Sequence, residues 1–131
     1  VNRGGGIFCD YYSSPQIINC EIKSNSTNGN GGGFYSDYEC YPNITNCLVV
    51  NNTAENYGGG YYINGSTPIL KNVTFWNNTA NNHIGGALYS ASAADSISNC
   101  IFWEDSPDEF AVEGGTFIVT YSDVDLPSGI F

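Results

Sequence analysis

The chain has 131 residues, of which 13 are acidic and three are basic, for a net charge of −10. The acids gather late: residues 1–94 hold five acids and three bases, a net charge of −2, whereas residues 95–131 hold eight acids and no base, a net charge of −8. A surface of this sign repels nucleic acid and anionic lipid, and no apolar run is long enough to span a bilayer. Composition therefore excludes a nucleic-acid partner and membrane insertion.

A segment of about 27 residues recurs along the chain. Its first three copies begin with the glycine clusters Gly4–Gly6, Gly31–Gly33 and Gly58–Gly60, and a weaker fourth copy begins at Ile84. The copy starts are 27, 27 and 26 residues apart. A fixed period of this size is typical of solenoid proteins. We predict one domain, residues 1–131, of about five coils, which belongs to a longer chain or to an assembly.

Equivalent positions of the copies predict strands rather than helices. Apolar side chains alternate with mixed ones in each copy, which is the period of a β-strand, and one copy is too short to bury its own apolar face. Stacked copies would be parallel, and parallel crossovers are right-handed, so the predicted fold is all-β: a single-stranded right-handed parallel β-helix. The predicted inward columns are Ile17, Ile44, Leu70 and Ile97, and Ile22, Val49, Phe75 and Phe102.

Asparagine recurs between these two inward columns. Strand interiors disfavour asparagine, whereas a bend tolerates it, and amides stacked one coil apart can bond to each other. We therefore predict a structural ladder at this position and a second bend at another column, which ends in an aspartate. The predicted ladder is Asn19, Asn46, Asn72 and Asn99, and the second bend is Asn25, Asn52, Asn78 and Asp105.

In chain order, each coil opens with glycines and continues into an aromatic strand and then a loop. Glycine suits the opening turn because it adopts positive φ readily. The predicted loops are Tyr11–Ser14, Asp37–Tyr41, Asn64–Thr67 and Ser90–Asp95. The period breaks after Ser106, so residues 107–131 are predicted to form an irregular acidic final coil. This coil would contain a strand at Thr116–Val124 and a terminal loop at Leu126–Phe131.

A family resemblance rests on four segments: GGGIFC, SPQIINC, NNTAENYGGG and SNCIFWEDSPDEFAVEGGTFIVTYSDVD. They resemble the repeats and terminal coil of secreted right-handed β-helix proteins, the Asn- and Gly-rich relatives of the pectate-lyase-like and autotransporter-passenger group. The resemblance covers nearly the whole chain and implies this fold and an extracellular or cell-surface location. It implies no single activity, because the fold hosts lyases, hydrolases, adhesins and structural rods. Asp125–Phe131 departs from the family pattern, in which a Gly-rich tract and an Asp-Pro motif follow YSDV.

The five cysteines allow two disulfides and also allow none. Cys20 and Cys47 are predicted to be stacked neighbours at a separation that a disulfide can span, and Cys9 and Cys40 are a second candidate pair. Cys100 is predicted to lie two coils beyond Cys47, out of its reach. The alternative is a buried row of free thiols that pack as small apolar side chains.

Six Asn-x-Ser/Thr sequons are candidate glycosylation sites. Four of them flank loops or occupy an outward column, and we favour these. They are Asn43, Asn51, Asn64 and Asn77. Asn25 and Asn72 are less favoured because they belong to the bend columns, where we expect the amide to be engaged inward. In a bacterial protein most of these sequons would carry nothing.

Two outward columns of the sheet combine into an apolar face, which we interpret as a partner surface. A contiguous exposed apolar patch usually marks a partner or a ligand. The members are Leu48, Val50, Trp76, Ile101 and Trp103. The alternatives are that a loop or tail such as Leu126–Phe131 folds over this face, or that its stacked aromatic rings hold sugars.

Catalysis finds little support in the sequence, and we predict no catalytic residue. Lyases of this fold need a base and calcium-binding acids on one face, but Lys23 and Lys71 fall in different columns, and no acid cluster shares their face. The sole histidine, His83, is predicted to be solvated in a turn. We expect no cofactor, with calcium as the one alternative. Its candidate ligands are Asp105, Asp108, Glu109 and Glu113.

Two functional hypotheses follow from these observations. The first is a non-catalytic extracellular structural or adhesive β-helix, for which a glycosylated filament subunit that self-associates end to end is the concrete form. The second is a module that binds or cleaves polysaccharide, for which acids and a base would have to converge in a groove. Glycans could thus be covalent or bound.

Overall fold

The computed structural model describes residues 2–125. They form parallel β-strands joined by turns, without a helix in this part of the chain. The fourteen strands are Ile7–Cys9 (β1), Gln16–Ile18 (β2), Glu21–Lys23 (β3), Ser26–Thr27 (β4), Phe34–Ser36 (β5), Asn43–Val50 (β6), Thr53–Ala54 (β7), Tyr61–Asn64 (β8), Ile69–Trp76 (β9), Thr79–Ala80 (β10), Leu88–Ser98 (β11), Ile101–Trp103 (β12), Phe110–Thr120 (β13) and Asp123–Val124 (β14).

The strands wind into a solenoid of about four turns, in which each strand pairs with its equivalent one turn later. Ile7 pairs with Phe34, Phe34 with Tyr61, and Tyr61 with Leu88, always in parallel. The short strands β4, β7 and β10 stack separately as a three-stranded sheet. The all-β solenoid predicted from the repeat is therefore confirmed.

The predicted inward columns form the core. Ile44, Leu70 and Ile97 of the first column, and Val49, Phe75 and Phe102 of the second, are each at most 2 % exposed. The rings of Phe75 and Phe102 stack with their centroids 4.9 Å apart. Each turn thus covers the apolar side chains of the next, which is why a single copy of the repeat cannot fold alone.

Two bends in each turn use left-handed backbone. The first bend holds the four asparagines of the predicted ladder, with φ between 51° and 55°. The second holds Ser24, Asn51, Asn77 and Glu104, with φ between 53° and 55°. Asparagine dominates these positions because it enters the left-handed region at lower cost than most residues.

The glycine clusters let consecutive turns approach closely, backbone to backbone. A Cβ atom built on Gly32 would lie 2.3 Å from the carbonyl oxygen of Gly59 in the next turn. Gly31, just before it, has φ +71°. The cluster is therefore required both for its sharp turn and for the contact between turns.

The fourth turn differs from the prediction in two ways. The loop predicted at Ser90–Asp95 is wrong, because β11 runs continuously from Leu88 to Ser98. The fourth turn also begins at Gly85 and not at the predicted Ile84. Gly85 is the residue equivalent to Gly58, since its φ of +74° matches the +65° of Gly58. Strand β11 gains ladder partners along its length from β13, which explains why it does not break into a loop here.

The last turn is shorter than the others. Phe102 pairs with Val124, and Leu88 with Phe110, an offset of 22 residues instead of 27. Strand β13 makes residues 110–120 more regular than the irregular coil that we predicted, and it carries the positive-φ pair Gly114 and Gly115 in its middle. The predicted terminal loop Leu126–Phe131 lies outside the described residues.

Candidate functional site

The predicted asparagine ladder lies on the outside of the solenoid. Asn46 donates its Nδ2–H to Asn19 Oδ1 at 3.3 Å, and Asn72 donates to Asn46 Oδ1 at 2.9 Å. All four side chains, including that of Asn99, are exposed. The inward orientation expected for the amide of Asn72 is therefore wrong. We call this row the outer ladder.

The buried ladder is the other column, Asn25, Asn52, Asn78 and Asp105. Asn52 and Asn78 are fully buried. Asn52 Oδ1 accepts the backbone N–H and the Nδ2–H of Asn25, both at 3.0 Å, and Asn78 Oδ1 accepts the same two groups of Asn52 at 3.1 and 3.0 Å. The second Nδ2 hydrogen of each goes to a backbone carbonyl of the previous turn. Every polar atom of Asn52 and Asn78 is thus engaged.

Sequence reasoning identified this column as a bend but missed that it is the buried ladder. A usable signal was present in the glycines. A Cβ on Gly33 would lie 3.0 Å from Asn52 Nδ2, and one on Gly6 would lie 2.8 Å from Asn25 Nδ2. The inward amide therefore needs a glycine opposite it in the same turn, and that pairing recurs in each of the first three copies.

The two ends of the buried ladder are chemically different. At the first, Asn25 donates to Asn52, but its own Oδ1 accepts no hydrogen bond within residues 2–125. At the other, Asp105 Oδ1 accepts both donors of Asn78 at 2.7 Å. Asp105 N–H then donates to Glu109 Oε1 at 3.4 Å. The ladder consequently presents an acceptor at its start and an acid pair, Asp105 and Glu109, at its end.

This acid pair is buried without a base. Asp105 is 8 % exposed and Glu109 is 4 % exposed. Burial raises the pKa of Glu109 to about 9, with a further contribution from Asp105. Burial also raises the pKa of Asp105. Within the described part of the chain, Asp105 Oδ2 and Glu109 Oε2 have no hydrogen-bond partner.

The four acids predicted as calcium ligands do not gather around one point. Asp108 Oδ1 accepts the N–H of Gly85 at 2.6 Å, and Glu113 lies beside Tyr89, where it helps to raise the pKa of the phenol. Among residues 2–125 no three His, Cys, Asp or Glu side chains form a group that could hold a metal ion. The predicted absence of a cofactor stays a prediction, with calcium as its alternative.

The predicted apolar face is present with one exception. Leu48, Trp76, Ile101 and Trp103 are between 43 % and 45 % exposed. Val50 is only 7 % exposed, so its predicted exposure is wrong. It lies between Lys23 and Trp76 in its column, and these longer side chains flank it. We call the four exposed residues the tryptophan face, where Trp76 Nε1–H also donates to Glu104 at 2.9 Å.

A row of stacked aromatic rings, buried at Tyr35 and Tyr89 and exposed at Phe8, was not predicted. Phe8, Tyr35, Tyr62 and Tyr89 stack one per turn, with successive ring centroids 5.5, 4.8 and 5.1 Å apart. Arg3 lies over the ring of Tyr35, and its Nη1 is 3.0 Å from the buried carboxylate of Asp37. The signal in the sequence was the aromatic residue that follows each glycine cluster by two positions. The sole histidine, His83, is exposed and stacks on Tyr57 at 4.4 Å.

The amides of the favoured sequons are mostly engaged as donors. Asn43 donates to Gln16 at 3.1 Å, Asn64 to Asp37 at 2.7 Å, and Asn77 to Asn51 at 2.8 Å. Only Asn51 has an Nδ2 that donates to no group in the described region. Because a glycan attaches through this nitrogen, Asn51 is the sequon whose occupation would disturb the fewest contacts. Glycosylation itself stays a prediction.

All five cysteines are free thiols in the structure. Cys20 is exposed, and its backbone N–H donates to the Sγ of Cys47 at 3.4 Å, so the two residues are neighbours in consecutive turns. Cys9 is buried, and its contact with Cys40 helps burial raise the pKa of the Cys9 thiol to about 12. Both predicted disulfides, Cys20–Cys47 and Cys9–Cys40, stay predictions.

Comparison with known proteins decides the family. A family model described as a right handed beta helix region matches residues 1–120. The chain belongs to the right-handed β-helix family. The predicted handedness and fold of this β-helix protein are thereby confirmed. No curated protein and no solved structure matched the chain. Residues 2–125 contain no helix that is long and apolar enough to cross a bilayer.

Proposed function

We propose that this β-helix protein is a non-catalytic structural module of an extracellular or cell-surface assembly, and that copies stack end to end. The observation that carries the proposal is the open acceptor at the start of the buried ladder. Asn25 Oδ1 occupies the place at which Asn52 and Asn78 each accept two hydrogen bonds from the turn before. A further turn stacked there, from a second copy or from chain that precedes this segment, would supply those two donors.

The backbone at the same edge supports stacking. Strands β1 to β4 of the first turn pair on one side with the second turn, and no strand within residues 2–125 pairs with their other side. Unpaired edges of parallel strands are templates for additional strands. Stacking between the start of one copy and the end of another is a heterologous contact, which produces rods when it does not close.

Sedimentation velocity and electron microscopy over a rising protein concentration test this proposal. The wild type should form rods much longer than one domain. The double variant S26E/N28E places two carboxylates along the first edge, at positions that are exposed, and should remain monomeric because they repel the acidic last turn of an incoming copy, whose residues 95–131 hold eight acids and no base. S96E, which adds a carboxylate at an exposed position in the fourth turn, is the matched control and should still assemble.

Two results would overturn end-to-end assembly. One is a monodisperse wild-type monomer at the highest concentration reached. The other is assembly that S26E/N28E leaves unchanged, because the contact would then lie elsewhere.

A second candidate function is polysaccharide binding at the tryptophan face. Trp76 and Trp103 are paired in register on neighbouring strands, with Ile101 beside them, which makes a flat exposed aromatic surface. Planar aromatic side chains offer apolar contact area to a flat ligand while their N–H groups remain able to bond. This arrangement favours a bound chain that lies across the strands.

Tryptophan fluorescence during titration with acidic polysaccharides, with and without calcium, tests this candidate. W103A should abolish the fluorescence change, whereas Y121A, which removes an exposed aromatic ring outside the face, should leave it intact. An unchanged wild-type spectrum with every polysaccharide would remove the candidate. Product release from the polysaccharide would instead indicate cleavage.

A further inference from the structure

The first three members of the buried ladder share one hydrogen-bonding pattern, which an ionised Asp105, the last member, cannot repeat. Asn25, Asn52 and Asn78 each donate a backbone N–H and an Nδ2–H to one oxygen of the next member. Asp105 donates its backbone N–H to Glu109 Oε1, so Glu109 stands where the next ladder oxygen belongs. An ionised aspartate, however, has no side-chain hydrogen to give.

A proton on one of the two carboxyl groups would supply the missing side-chain donor and complete this pattern. The Asp105 backbone N–H brings Glu109 Oε1 to 3.4 Å, and each of the two buried carboxyl groups retains one oxygen without a partner in the described residues. Two buried carboxylates in such contact cannot both be ionised cheaply, whereas one shared proton converts their repulsion into a hydrogen bond.

We propose that Asp105 and Glu109 share one proton and close the buried ladder as an acid pair, and that loss of this proton loosens the last turn of the solenoid. The pair replaces the amide that the repeat would otherwise place there. It therefore ends the ladder with a group that depends on pH, whereas the three preceding members are neutral amides at every physiological pH.

The surroundings of Glu109 favour the protonated form. The charged groups that act on it are Asp105, in the connection after β12, and Asp125, which follows β14; both are acids. Burial is the largest cause of its raised pKa, which lies near 9. The folded state thus holds a proton that the unfolded chain releases near pH 4.5. Stability from this proton is complete below that pH and declines as the pH rises towards 9.

The acid pair sits in the segment that attaches the last turn to the fourth. Leu88 N–H donates to Glu109 O at 3.1 Å, and Gly86 N–H donates to Asp108 O at 2.7 Å. Ser106 bridges to Thr79 in the same segment. Because this segment leads directly into β13, repulsion between the two acids would weaken the pairing of β13 with β11 before that of the earlier turns.

Unfolding by urea at several pH values tests the proposal. Between roughly pH 6.5 and 8.5 the unfolding equilibrium constant of the wild type should rise by up to about tenfold per pH unit. E109Q keeps both the acceptor for Asp105 N–H and a side-chain donor, so it should abolish this rise. D123N, which neutralises an exposed acid on β14, is the matched control and should keep it.

Two measurements on the wild type keep the test valid if E109Q does not fold. The carboxyl carbon of Glu109, followed by NMR, should titrate several pH units above an ordinary glutamate. Amide exchange, corrected for intrinsic rates, should speed up in β13 before the other long strands as the pH rises. Ordinary titration of Glu109 near pH 4.5 would overturn the proposal. So would a calcium-induced rise in stability that E109Q abolishes, since the pair would then hold a metal ion.

Discussion

Asn52 Oδ1 receives two hydrogen bonds from Asn25, one from the backbone N–H and one from the side-chain amide, both at 3.0 Å. Asn52 passes the same pair of bonds to Asn78 in the next turn. The side chain therefore links three turns while it remains completely buried. Its removal would leave donors and acceptors in the interior without partners.

Replacing Asn52 should accordingly be far more damaging than replacing Asn46 on the outer ladder. N52A leaves several buried polar groups unsatisfied, and we expect a loss of roughly 3–5 kcal/mol in the free energy of unfolding. N46G preserves the left-handed backbone at an exposed site, and we expect a loss below about 1 kcal/mol. Urea unfolding of both variants measures the difference. Equal losses would show that the interior amides carry no special share of the stability.

Gly32 should tolerate no side chain. In G32A the new methyl group would meet the Gly59 carbonyl oxygen at 2.3 Å, so the turns must move apart at a cost of roughly 2 kcal/mol or more. G65A is the control, because its methyl group would meet nothing within 4 Å although Gly65 also has positive φ, +59°. That variant should lose only about 1–2 kcal/mol, the cost of the left-handed conformation. Thermal unfolding of both variants compares two losses of stability. The loss in G32A comes from the close approach of the backbones, and the loss in G65A comes from the backbone conformation alone.

The buried carboxyl of Asp95 should make stability depend on pH in acid. Burial raises its pKa from 3.8 to about 6, although the hydrogen bond from Ser90 opposes this shift. The folded state thus holds a proton that the unfolded chain loses, so stability is complete below the unfolded pKa and declines as the pH rises through about 6. The decline in the free energy of unfolding should be on the order of 3 kcal/mol.

D95N isolates this contribution. The difference in unfolding free energy between wild type and D95N, measured from about pH 3 to pH 7, should change in that window and become constant above it. A difference that does not vary with pH would exclude the raised pKa.

Cys20 should be the one thiol that reacts quickly in the folded protein. It is exposed, whereas the other four cysteines are buried, and burial raises the pKa of the Cys47 and Cys100 thiols. Thiolate is the reactive form, so alkylation of the native chain should add one group, and alkylation in denaturant should add five. Intact mass reads both numbers. An intact mass two hydrogens lower than that of the free-thiol chain, together with no rapid alkylation of the native protein, would instead show the Cys20–Cys47 disulfide.

The sequence was sufficient for the winding of the chain but not for the side of each asparagine column. The alternation of apolar residues places Val49 and Phe75 inside the solenoid, and this placement does not depend on the conformation of the bends. Asn46 and Asn52 look alike in the sequence because each comes two or three positions after an inward strand residue, Ile44 or Val49. A left-handed bend changes which way the next side chain points. The glycine opposite Asn52 decides the matter, and it lies 19 residues earlier in the chain.

The misjudged regions share a physical cause, which is the influence of the neighbouring turn. Val50 is buried because of the lengths of the side chains above and below it, not because of its own strand. Ser90–Asp95 becomes a strand because β13 supplies a partner along most of β11. Neither the burial of Val50 nor the extended pairing of β11 can be predicted from one copy of the repeat taken alone. The acid pair was likewise visible only as two acids in a polar stretch.

The 22-residue final turn has a geometrical consequence. A shorter loop of chain encloses a smaller perimeter, so the molecule tapers towards β14. The ring of Phe110 packs edge-on against Phe102, with centroids 4.5 Å apart, and the ring of Phe117 packs edge-on against Phe110, with centroids 5.4 Å apart. These rings fill the interior of the last turn. The two tips of the cylinder consequently differ in outline, and any stack of such cylinders has a direction.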